Sequence, residues 1–235
     1  MTRISLVLWV SMTLVLGLVL SANIARAAEL KVLASVALTS SLDELTPIYE
    51  KETGDKLSIG YSLAADLKKR ILDGETADVI ILTQPMMEEL QTQHKLAVDS
   101  LMNVAGTPVS IVARAGAPKP DISSVDALKH TLRVLDRLGI AGQLKDKTIL
   151  VPGAQAADVV AKGDAELGVA QASEIVPVTG VQLVGPLPGE LASTTVFAAG
   201  IGTESKSPEA AKALVKFLTG SEAASHLKTK GFEPG

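Results

Sequence analysis

The chain has 235 residues, with 22 Lys and Arg against 26 Asp and Glu, a formal charge of −4 and no cysteine. No disulfide, thiol nucleophile or thiolate metal site is therefore available, and the mild acidic balance leaves no basic face for nucleic acid. Aromatic residues make up 3% of the chain, and Trp9 is its single tryptophan, which argues against a stacking platform for sugars or bases.

The first segment reads as an export signal. Arg3 is followed by an apolar run from Ile4 to Leu20, and Ala25-Arg26-Ala27 has the small-x-small pattern of a signal-peptidase site. Residues 1–27 are expected to be removed, leaving an exported, periplasmic chain long enough for one large domain or two lobes.

Beyond it, strand and helix signals alternate, as in an α/β protein with mostly parallel sheets flanked by helices. Leu30–Ala34 and Val79–Leu82 are continuous apolar runs suited to strands covered on both faces. Leu42, Leu45 and Tyr49 recur at helical spacing ahead of Gly54, with Pro47 inside the helix. A strand at Leu57–Ile59 precedes a helix carrying Leu63, Leu67 and Ile71, closed by Gly74. Further strands are expected at Pro108–Ala113, Thr148–Val151, Glu166–Ala170, Val181–Val184 and Thr194–Ala199. Helices are expected from Ser123 with Asp126 as a capping box, over Arg133–Leu138 and over Ala154–Lys162. Two helices end the chain, started by Ser207-Pro208 and by Ser221.

Three strand-to-helix junctions carry hydroxyls and small residues but no Lys, Arg or His. They are "ASVALTSSL", "IGYSLAADL" and "ILVPGAQAADVV". Helix starts at the carboxyl ends of strands are natural anion sites, although helices also need such residues simply as caps. Thr39, Ser40 and Ser41 are candidate caps at the first junction, and Gly153 lies in the third. No nucleophile elbow, phosphate loop or dinucleotide fingerprint is present, so no enzyme, cofactor or metal site is expected. His94, His130 and His226 lie singly in helical stretches, while Asp43/Glu44, Glu88/Glu89 and Lys68-Lys69-Arg70 read as solvated faces.

The stretches "LKVLASVALTSSLDELTPIYEKETG", "LKKRILDGETADVIIL", "KGDAELGVAQASEI" and "SPEAAKALVKFLTGSEAASHLKTKGF" resemble, in order, the periplasmic molybdate-binding proteins of ABC importers. The resemblance implies a two-lobed periplasmic binding protein of type II. Lobe I would comprise residues 28–112 and 189–235, and lobe II residues 113–188, with crossings near Val112–Arg114 and Leu191–Thr195. It further implies a monomer that binds a small oxyanion in the cleft, closes, and delivers it to a membrane permease.

The same resemblance places candidate ligand positions at Ser35 and Ala37, at Ser62 and Ala64, and at Gln171. Ala37 and Ala64 stand where the family carries binding serines, and Gln171 where it often carries a tyrosine. After Leu132 a strand and a ligand-contacting helix start are missing, so the second lobe is expected to be reduced. A sensor module on the same fold, or a carrier of an organic acid clamped by Arg114, are the alternative readings.

Overall fold

This computed structural model describes residues 27–135, 151 and 155–234. The leader, Gly153, all but the last residue of the strand expected at Thr148–Val151 and the second half of the helix expected over Arg133–Leu138 lie outside the described residues.

In chain order the elements begin with β1 (Glu29–Ser35), a 3-10 turn (Val36–Leu38), α1 (Thr39–Thr53), β2 (Lys56–Ser62) and α2 (Ala64–Leu72). There follow β3 (Val79–Thr83), α3 (Gln84–Thr92), β4 (Met102–Arg114) and α4 (Val125–Leu135). After the undescribed stretch come α5 (Ala156–Lys162), β5 (Leu167–Gln171), α6 (Ala172–Ile175) and β6 (Val181–Pro186). The last are β7 (Thr194–Ile201), α7 (Pro208–Leu218), α8 (Ser221–Thr229) and β8 (Glu233–Pro234).

The α/β class holds, but among the described residues parallel pairing is confined to β2–β1–β3. β7 runs antiparallel between β3 and β4, and β5 and β6 both run antiparallel to β4. The cause is β4 itself. It is one 13-residue strand that pairs with β7 through Pro108 and with β5 and β6 from Val109 onward, so it serves both sheets. The chain returns at Ser193, whose carbonyl accepts from the Val109 N–H at 2.8 Å. The exchange of partners at Pro108–Val109 thus comes before the crossing expected near Val112–Arg114, and "ARAGAPKPD" lies beyond it.

Alternation along the strands divides the first core. Leu30, Val32, Val79, Ile81, Phe197 and Ala199 face α1, α7 and α8, while Leu33, Ile80, Leu82 and Ala198 face α2 and α3. Each such Leu or Ile contributes about 1.5–3 kcal/mol by burial. Among the described residues, the second core has Val112, Ala157, Val160 and Ile175 as its buried cluster.

Gly54 ends α1 at φ 80°, the left-handed cap its position implies. Several starts differ from expectation. Ser124, not Ser123, caps α4 by accepting from Ala127 N–H at 3.0 Å. Ser207 precedes the first-turn Pro208 without a side-chain bond, and Gly220 rather than Ser221 precedes α8. His94 lies past α3 at φ 55° rather than in a helix.

The charged faces are paired rather than free. Lys68, Lys69 and Arg70 bridge to Glu89, Asp73 and Glu75, and Glu44 bridges to Lys230.

Tyr49 ties α1 to the rest of the core. Its hydroxyl lies 3.1 Å from Asp55 Oδ2 and 3.3 Å from the Ala210 carbonyl, and burial, with the Asp55 carboxylate, pushes the phenol up to about 12. Tyr49→Phe keeps the ring against Phe217 and removes only this bond. It is expected to cost about 1 to 2 kcal/mol, or roughly 2–8 °C in a thermal melt at pH 7.

Candidate functional site

The carboxyl ends of β1, β2 and β3 lie side by side. Ser35 is level with Ser62 across β1–β2, and Ala34 with Ile81 across β1–β3. Each strand runs within one to three residues into a helix start, so free N–H groups of the 3-10 turn, α2 and α3 converge on one edge. Ser35 and Ala37 are buried there, at 5% and 8% exposure. Ser62 and Ala64 are half-buried on the neighbouring junction.

Opposite this edge lies α6. It touches the 3-10 turn, and Gln171 immediately precedes it. Its position is fixed from the first lobe: the Ser173 N–H donates to Thr107 Oγ1 at 3.1 Å, and Thr107 in turn donates to the Gly231 carbonyl at 3.3 Å. Gly231 (φ 82°) is needed here, because an added Cβ would meet the Ala172 backbone at 2.8 Å. Five of the six expected positions, Ser35, Ala37, Ser62, Ala64 and Gln171, therefore sit around one seam; Gly153 lies outside the described residues.

Three buried hydroxyls among the described residues have no hydrogen-bond partner: Ser40 Oγ, Ser41 Oγ and Ser173 Oγ. The Gln171 side chain is turned onto its own helix start, where it forms a capping box with Glu174. All three hydroxyls belong to the two segments that meet at the seam. Buried polar groups are nearly always bonded, so each such exception calls for a cause.

Thr39, Ser40 and Ser41 do not cap α1. The Thr39 hydroxyl donates back to the Val36 carbonyl at 2.8 Å, and the helix is preceded by Leu38. The 3-10 turn occupies Val36–Leu38, so the helix starts at Thr39 and leaves Ser40 and Ser41 inside its first turn. Sequence reasoning does not single out Ser173 or Thr107. The one available signal is the hydroxyl beside Gln171 in "QAS".

Among the described residues the seam is bare of cations. Residues 35–41, 62–64 and 171–175 contain no Lys, Arg or His, and Glu174 is their one titratable group. Burial raises the Glu174 carboxyl above the usual range, partly offset by the Gln171 N–H at 3.4 Å. Arg114 is remote from the seam: it ends β4 five residues past the partner exchange, exposed, with its guanidinium over Gly163 at the C-terminus of α5. An Arg114 clamp for a carboxylate is not formed. Among the described residues no group of three or more His, Asp or Glu converges, and no helix is long and apolar enough to cross a membrane.

Comparison with known proteins gives a consistent fold. Residues 30–133 and 129–233 match the family model described as bacterial extracellular solute-binding protein. The two blocks adjoin at residues 129–133, where the sequence places its missing segment, and α4 runs through that point as one helix. An aconitate isomerase from a Pseudomonas species is 31% identical over 94% of this chain and 96% of its own length. The molybdate-binding protein ModA of Azotobacter vinelandii is 28% identical over 92% of this chain and 94% of its own. Among solved structures, a periplasmic molybdate-binding protein of Azotobacter vinelandii superposes with a TM-score of 0.66 at 19% identity, covering 86% of this chain and 98% of that one.

Proposed function

The chain belongs to the bacterial extracellular solute-binding proteins, and from that premise we propose that it carries a small oxyanion, molybdate or tungstate, to the permease of an ABC importer. It works as an exported periplasmic monomer. The observation that supports this most directly is the set of three unpartnered serine hydroxyls on facing segments that carry no cation among the described residues. A compact oxyanion is matched by many neutral donors: serine hydroxyls, an amide, and N–H groups at helix starts. Ser35, Ser40, Ser41 and Ser62 would supply contacts from the first lobe, and Gln171 and Ser173 from the second. The backbone at Ala37 and Ala64 supplies N–H groups where hydroxyls are lost.

Closure would bend β4 at Pro108–Val109 and the return strand at Ser193–Thr194, and a ligand touching both lobes favours the closed state by its differential contacts.

The 31% identity with an aconitate isomerase favours a second reading, an aconitate-like tricarboxylate in the same cleft. Isomerising such an acid requires moving a proton, and among the described residues Glu174 is the one titratable group at the seam that could hold it. Against this reading stands charge: several carboxylates would be buried without a cation, which is costly.

Thermal unfolding decides between them. Ligand at about 100 times its dissociation constant adds about 2.7 kcal/mol, or roughly 5–10 °C. A rise with molybdate or tungstate, and none with sulfate, phosphate or cis- and trans-aconitate, is the expected result. A rise with the aconitates, together with interconversion of the two isomers, transfers the proposal to the second reading.

A further inference from the structure

We propose that cleavage between Ala27 and Ala28 creates a half-buried ion pair, in which the new α-ammonium group of Ala28 is held by the carboxylate of Asp55. The geometry is already in place. The Ala28 nitrogen lies 2.8 Å from Asp55 Oδ1, within the range of a charge-assisted bond. The other carboxylate oxygen is bound by the Tyr49 hydroxyl at 3.1 Å, and the Asp55 N–H donates to Thr53 Oγ1 at 3.2 Å. Asp55 is 9% exposed, yet among the described residues no Lys, Arg or His bridges to it. A carboxylate this enclosed is stabilised far more by a cation than by one amide N–H.

The position is specific to one cleavage point. Hydrolysis adds water across the Ala27–Ala28 bond: the carboxyl stays on Ala27, and the Ala28 nitrogen leaves as an amine that takes up a proton. Ala27 is exposed and β1 begins at Glu29, so the bond sits where the chain leaves the fold. Cleavage one residue later would remove Ala28. Asp55 Oδ1 would lose its partner, and the Lys56 N–H would lose the Ala28 carbonyl that accepts it at 2.7 Å. The proposal rests on the leader being a cleaved signal, and it is independent of what the cleft binds.

Intact mass of the exported protein is the first test: a chain starting at Ala28 is expected, and one starting at Glu29 or retaining the leader overturns the proposal. The second is a cycle of melts on chains that begin with a free amine at Ala28, or with one additional alanine before it, each with and without Asp55→Asn. Asp55→Asn should lower the melting temperature by roughly 2–4 °C more in the free-amine chain. Equal shifts would overturn the pair. If Asp55→Asn does not fold, the two unsubstituted chains decide: a lower melt for the extended chain supports the pair, and identical melts overturn it.

Discussion

Asp78→Ala is expected to lower the melting temperature by roughly 10 °C. Asp78 is 8% exposed and joins three separate pieces of chain. Its Oδ2 accepts from the Lys31 N–H of β1 at 2.9 Å, and its Oδ1 accepts from the Ser205 hydroxyl at 2.7 Å and the Lys206 N–H at 2.9 Å. Its own backbone bonds to the Lys31 carbonyl and the Gly202 N–H. Removing the carboxylate orphans three donors at once, a loss of about 3–5 kcal/mol, with about 2–4 °C per kcal/mol for a chain this size.

The pH dependence separates charge from shape. Burial pushes the Asp78 carboxyl up, but the Ser205 hydroxyl and the N–H groups of Lys31, Lys206 and Ser207 outweigh it, so the folded value lies below the ordinary one. The stabilisation is therefore present above the unfolded carboxyl range and is lost as pH falls through the lower, folded value. The gap in stability between the natural chain and Asp78→Asn should be wide at pH 7 and shrink as the carboxyl protonates. A gap that stays constant from pH 7 to pH 3 would remove the charge from this account.

The second large effect concerns the seam, where stability and binding are expected to move in opposite directions. Ser41 and Ser173 are 2% and 4% exposed, and their hydroxyls have no partner. Burying an unbonded hydroxyl costs about 1–3 kcal/mol, so the double change Ser41→Ala with Ser173→Ala should raise the ligand-free melting temperature by a few degrees. On the proposed reading the same change also removes two donors to the ligand. At about 0.5–1.5 kcal/mol each, it should weaken binding by roughly tenfold to a hundredfold in calorimetry. Two serines with a purely structural role would give a lower melt and unchanged affinity.

Much of the first lobe was legible in the sequence because its signals are local. Leu30–Ala34 and Val79–Leu82 can be read from uninterrupted apolar runs, and the end of α1 from Gly54. The half of β4 before Pro108 was not legible, since "MNVAGT" mixes small and polar residues without a period of two. Its strand character comes from pairing with β7 and β8, both distant in sequence. The antiparallel place of β7 is invisible for the same reason. At the site, the hydroxyl run Thr39–Ser41 was visible but its role was not. Only the intervening 3-10 turn turns caps into unpartnered groups. Gln171 could be aligned with a known position, whereas Ser173 acquires its setting from Thr107 and Gly231, residues far away in the chain on either side.

The central place of β7 also sets the timing of assembly. β3 and β4 are joined through a strand that lies far beyond either in the chain, and β8 pairs with β4 only at the last residues described. Topologies dominated by such distant pairings fold slowly, because the loops must close before the contacts repay them. A chain made from its N-terminus onward exposes β1 to β4 long before β7 is available. The first lobe's sheet therefore cannot close around a half-made chain, and its middle stays open until Thr194–Ile201 has followed.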